Sequence, residues 1–186
     1  CTFINNSAEY GGAIYLNGGN IIINNTLFQN NVAYNFGGAI ATGSKTRLCI
    51  YNSRFIADRS TNDAAGAIYV YSSTLVGSNV SFVNCSSTFG AAITSLSSVM
   101  KLSDIFASNN TARYDGGAIY QMYGDINLNS SRFIGNVAKN GAGLFIDNVT
   151  SFNLSSTEFT NNRALSHGGA VFLLFNGDVN WSESNF

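Results

Sequence analysis

A phenylalanine returns every 25 to 27 residues along this chain, and the same neighbours return with it. Phe3, Phe28, Phe55, Phe82, Phe133, Phe159 and Phe186 fill the slot. Between Phe82 and Phe133 the flanking columns fit best with Ala107 in the slot and Phe106 one residue out of register. Three residues later come Asn6, Asn31, Asp58, Cys85, Asn110, Asn136 and Asn162, then two further on Ala8, Ala33, Ser60, Ser87, Ala112, Ala138 and Ala164. A Gly-Gly-Ala-Ile element follows, from Gly11 to Ile14 and again at 37–40, 65–68, 90–93, 116–119, 141–144 and 168–171. So many columns in one register mark a solenoid, whose units cannot bury an apolar face singly and must stack.

Each unit holds three short stretches of β-character separated by Gly, Asn and Ser, none long enough for a helical period. The expected fold is therefore all-β, a single-stranded parallel β-helix of about seven coils of 25 to 27 residues. At a strand spacing of ~4.8 Å, seven coils make a rod roughly 34 Å long. Alternation along a strand assigns the faces. Seven residues before the Phe slot stand Ile21, Leu48, Leu75, Met100, Ile126, Phe152 and Val179, and two later Ile23, Ile50, Gly77, Leu102, Leu128, Leu154 and Trp181. Both columns point inward with the Phe column, while residues between them, such as Asn127, Asn129, Asn153 and Asn180, face solvent. Gly77 and Ala107 are the weak spots, in the fourth and fifth coils. The Asn column is expected to form an amide ladder at one corner, and the paired glycines a tight corner where neighbouring coils approach. The absence of proline suits a solenoid that needs every backbone donor.

Charged residues are only 10% of the chain and net charge is −1, with no basic run to hold a phosphate backbone, so nucleic acid is not an expected partner. No apolar run reaches the ~20 residues of a membrane span. The pattern is already under way at Cys1 and still running at Phe186, so 1–186 reads as a repeat segment of a longer solenoid. Cys1, Cys49 and Cys85 fall at three different points of the repeat, which gives stacking neighbours no obvious pair.

The motifs Phe3-Ile4-Asn5-Asn6, Phe28-Gln29-Asn30-Asn31, Phe133-Ile134-Gly135-Asn136 and Phe159-Thr160-Asn161-Asn162, alternating with Gly-Gly-Ala-[Ile/Leu/Val], resemble the repeat of the polymorphic outer-membrane proteins, surface adhesins best known from chlamydiae. The resemblance runs the length of the chain, with departures at Asp58, Cys85, Ala107, Ala65-Gly66 and Gly90-Ala91. It implies a right-handed β-helix displayed outside the cell or on its surface for attachment, and it implies no catalytic residue.

Candidate contact residues all lie outside the coils. Asn-x-Ser/Thr, the acceptor pattern for N-glycosylation, occurs at Asn5, Asn24, Asn79, Asn84, Asn109, Asn129, Asn148, Asn153 and Asn180. Asn and Ser/Thr also serve as the repeat's ordinary polar filler. The column after Gly-Gly-Ala-Ile reads Tyr15, Ala41, Tyr69, Thr94, Tyr120, Phe145 and Phe172, an aromatic stripe flanked by Tyr71 and Tyr123. It offers either a sugar-stacking or docking surface or plain cross-strand packing. The acidic residues are scattered, Asp125 and Asp178 share a column two coils apart, and His167 stands alone at a corner. No enzyme, cofactor or metal is therefore expected, although several β-helix folds bind or degrade polysaccharides and that alternative stays open. The expected partners are host or matrix glycans and proteins, or further copies stacked head to tail into a filament.

Overall fold

The computed structural model describes residues 1–174 and 177–186, and in it each of the first six coils turns at four corners where a residue takes a left-handed backbone. One corner precedes the Asn column, at Asn5, Asn30, Ala57, Asn84, Asn109, Gly135 and Asn161. The next is the first glycine of the pair, with Ala65 replacing it in the third coil. Only Gly and, at lower cost than most residues, Asn adopt this conformation readily, which explains their recurrence at fixed places. Four corners bound four sides, one more than the three stretches expected. The fourth side is a strand as short as Arg59–Ser60 and Ser86–Ser87, too short and too polar for alternation to reveal.

All strand pairs are parallel, in a 16-stranded sheet along three sides and a seven-stranded sheet along the fourth. The stack makes about seven turns of a β-solenoid. Its register matches the repeat: Phe28 lies on Phe55, Phe55 on Phe82, Phe82 on Ala107 and Ala107 on Phe133. Ile21, Leu48, Leu75, Met100, Ile126, Phe152 and Val179 likewise form one continuous column. The Phe rings stack face to face, with centroids 4.7 Å apart for Phe28–Phe55 and 5.0 Å for Phe133–Phe159. Phe28, Phe55, Phe82 and Phe133 are fully buried.

A second, thinner core lies behind the glycine corner. Ala91, Ala112, Ala138 and Ala142 cluster there with Ala164. The short fourth side packs directly on the corner, so its inward column must be small. A Cβ at Gly12, Gly38 or Gly117 would collide with a carbonyl oxygen of the next coil. The second glycine of these pairs is thus a matter of space, while the first is a matter of φ.

The two weak spots are filled from an adjacent column. Thr26, Ser53, Ser131, Thr157 and Ser184 form a hydroxyl ladder in which Thr26, Ser131 and Thr157 each donate their backbone N–H to the hydroxyl below. Val80 and Ile105 interrupt it in the fourth and fifth coils, where they turn inward and are buried. Val80 and Ile105 both line the void of about 10 Å³ left beside Gly77, and Ile105 precedes Ala107 by two residues on the same buried face of its strand. Close packing requires that volume be conserved across neighbouring columns. Ala107→Phe alone should therefore overpack the fifth coil and cost about 1–3 kcal/mol. Ile105→Ser in the same chain should recover most of that loss. Urea melts of both single variants and the double variant would show the coupling, and simple additivity would contradict it.

Candidate functional site

The Asn corner is structural and closely bonded. Asn31, Asn110, Asn136 and Asn162 each send one amide N–H back to the carbonyl of the Phe slot one coil earlier, at Phe3, Phe82, Ala107 and Phe133. The Oδ1 of Asn136 accepts both the Nδ2 and the backbone N–H of Asn110, at 2.9 and 3.0 Å, and Asn162 does the same for Asn136. Cys85 keeps part of the pattern, with its buried Sγ 3.9 Å from the Phe55 carbonyl. Asp58 keeps the accepting half only. Its Oδ1 takes both Asn31 bonds at 2.8 and 2.9 Å, but the buried Oδ2 has no partner. Burial raises the Asp58 carboxyl to about 7, the Asn31 bonds opposing but not cancelling the effect.

The outward columns carry a different ladder. Tyr120 stacks on Phe145 at 5.1 Å and Phe145 on Phe172 at 5.2 Å. Ala41 and Thr94 look like gaps in this stripe, yet a ring stands at each of those levels. It comes from the column just before the glycines, where Phe36 stacks on Tyr69 at 4.6 Å and Phe89 packs on Tyr120 at 5.6 Å. Where the stripe itself is aromatic, the flanking position holds Ala64, Asp115, Asn140 or His167, and only the first coil has both rings, Tyr10 and Tyr15. Sequence reasoning missed Phe36 and Phe89 because it followed one column at a time. The signal was there as an alternation between two columns five residues apart. The stripe is also less open than its outward assignment suggested. Tyr15 is 55% exposed, but Tyr120 and Phe145 are 9% and 6% exposed because neighbouring rings cover their faces. Tyr69 and Phe172 lie between these extremes.

Two depressions lie along the ladder. One of about 240 Å³ surrounds Ala41 between Tyr15 and Tyr69, and one of about 300 Å³ lies over Thr94 between Tyr69 and Tyr120. Burial pushes Tyr69 and Tyr120 up to about 12, helped by the negative charge of Asp63 near Tyr69 and of Asp147 and Asp115 near Tyr120. Larger depressions, of about 470 and 400 Å³, are open polar troughs at corners, lined by residues such as Lys45 and Arg47 or Arg132 and Glu158.

The sequons occupy three settings. Asn5, Asn79, Asn84, Asn109 and Asn148 are exposed left-handed corner residues. Asn24 and Asn129 are exposed and close a strand, and in each the hydroxyl two residues on, Thr26 or Ser131, belongs to the buried hydroxyl ladder and donates to the Asn carbonyl. Asn127, Asn153 and Asn180 form an outward amide ladder, with bonds of 2.7 and 3.0 Å. In the Asn24 and Asn129 motifs both halves thus have a structural use of their own. Asp125 and Asp178 share a column with Ser151 between them, and exposed His167 bonds to Ser166 and Asn140. Among the described residues no three His, Cys, Asp or Glu side chains gather as a metal group, and no helix is long and apolar enough to cross a membrane. All three cysteines are free, Cys1 exposed and Cys49 and Cys85 buried.

Comparison with known families yields one match. The model of the Chlamydia polymorphic membrane protein repeat matches residues 1–17, 25–43, 108–121 and 156–173. All four matched stretches carry the glycine corner and three of them the Phe-x-x-Asn element, while Asp58, Cys85 and Gly77 lie between them. No curated protein and no solved structure gives a match.

Proposed function

We propose that this chain, which carries repeats of the polymorphic membrane protein type, is a stretch of an extracellular β-helical rod that attaches through its outer faces. The repeat and the solenoid fit a surface-type β-helix protein. One observation carries the adhesive reading. The large apolar columns are spent on the interior, while the outer face holds a ring ladder in two runs, Tyr10 to Tyr69 and Phe89 to Phe172, and amide ladders with little charge. Such a face, aromatic and polar but weakly charged, is suited to contact. Glycans on the exposed corner sequons would project from the rod without touching its core, and intact mass before and after amidase treatment reads their presence.

Beads coated with the chain should adhere to cells or to immobilised matrix glycans and proteins, and soluble chain in excess should compete them off. Beads that bind no better than albumin-coated ones would sink the adhesive reading. Polysaccharide shortened by catalytic amounts of the chain would replace it with an enzymatic one.

A further inference from the structure

The depression over Thr94 is the one place where the ring ladder breaks. Tyr69 has one face on Phe36, while Tyr120 packs on Phe145 and, at a tilt of 54°, on Phe89. Thr94 lies on Tyr69 in one direction and on Tyr120 in the other. The rings of Tyr69, Phe89 and Tyr120 all line the depression over it. A group seated there is walled by three aromatic side chains, the setting in which rings attract a cation.

The rest of the lining points the same way. Phe89 closes one side, and Leu96 and Met122 offer apolar walls. Asp63 is the only charged residue lining the depression, and no Lys, Arg or His does. Its carboxylate takes no hydrogen bond or ion pair among the described residues, although Ser60 and Thr88 engage its backbone. The Thr94 hydroxyl is already committed to the Phe89 carbonyl at 2.8 Å. A neutral sugar would find rings but few free hydrogen-bonding groups, whereas a methylated cation needs ring faces, methyl contacts and one counter-charge. The neighbouring depression around Ala41 has rings without a carboxylate and serves as an internal comparison.

We infer that the Tyr69–Tyr120 depression, with Asp63 at its rim, is a binding site for a trimethylammonium group, as carried by choline and phosphocholine head groups. The inference deepens the attachment reading by giving one outer site a ligand chemistry. It is tested in solution, so its failure and that of cell adhesion are separate results.

Choline should titrate the intrinsic tyrosine fluorescence of the chain saturably at constant ionic strength. It should bind about tenfold more tightly than 3,3-dimethylbutan-1-ol, the neutral analogue of the same shape. Tyr69→Leu should lose that preference and Asp63→Asn should weaken it several-fold, while Tyr15→Leu at the other depression should leave it intact. Circular dichroism checks that each variant keeps its sheet, and the conservative Asp63→Asn keeps the test decisive should Tyr69→Leu unfold. Free phosphocholine and phosphatidylcholine vesicles separate the sources. Binding of the free head group alone supports a soluble or polymer-borne ligand, and vesicle capture as well supports a membrane surface. Equal binding of the neutral analogue, saturation by methyl glycosides in preference to choline, or no saturable change would overturn the assignment.

Discussion

Asn110→Ala is expected to destabilise the chain by about 3–5 kcal/mol, among the largest effects of any single substitution. The side chain makes three bonds: Oδ1 accepts the Cys85 N–H at 2.9 Å, and Nδ2 donates to Asn136 Oδ1 at 2.9 Å and to the Phe82 carbonyl at 3.1 Å. Truncation leaves a buried N–H with no acceptor and strips one donor from each of two buried oxygens, at ~1–3 kcal/mol for an unsatisfied buried group. Ala112, two residues on, already packs as a small residue, so no neighbour can move in to compensate. Guanidinium melts would measure the loss, and a cost below about 1 kcal/mol would mean that the ladder is not a structural spine. Asn5, one position outside the ladder at a left-handed corner, gives the contrast. Asn5→Gly should cost only a few tenths of a kcal/mol, because glycine serves that backbone equally well.

Asp58→Asn should do the reverse and stabilise the chain, by an amount that depends on pH. At the other ladder positions the second side-chain atom donates to the Phe-slot carbonyl of the preceding coil. Only a neutral Asp58 can offer a donor there, from a protonated Oδ2, and an ionised one sets two acceptors against each other. The carboxyl sits at about 7 in the folded chain against an ordinary 3.8. The folded state therefore holds the proton more tightly. The contribution of Asp58 is complete below the unfolded value near 4, declines as pH rises through the window to about 7, and levels off above it. Asparagine supplies the donor at every pH. The variant should differ little from the parent near pH 4 and exceed it by roughly 3–4 kcal/mol above pH 7.5. Denaturation midpoints across pH 4 to 8 decide the matter. A parent whose stability is flat over that window, or a variant no more stable at pH 8, would show that Asp58 is ionised and satisfied in the fold.

The interior was legible because each inward column repeats one kind of residue at one spacing. Even the exception was readable: the flanking columns alone assigned the slot to Ala107, which lies between Phe82 and Phe133 in the stack. Cooperation between columns was not legible. Ile105 and Val80 appear in sequence as unremarkable β-branched residues, and only three-dimensional packing shows both buried around Gly77, in the coils of Gly77 and Ala107. Phe36 and Phe89 escaped notice for the same reason, since each completes a stack begun in another column. The fourth side was hidden because two residues such as Arg59 and Ser60 carry no period. The acceptor motifs could be found but not weighed, since the same Asn and Ser/Thr are needed for left-handed corners and hydroxyl ladders.

The central claim is that inward columns build the rod and the outer ring ladder makes the attachment. Tyr15 and Tyr69 both lie outside the core and are at least partly accessible, so Tyr15→Ser with Tyr69→Ser removes outer rings while the Phe stack stays whole. Adhesion of beads coated with the parent or with this variant, matched for folded content by circular dichroism, tests the claim most directly. The account predicts that the folded variant loses most of the parent's binding. Equal binding by the two folded proteins would place attachment elsewhere on the rod and contradict it.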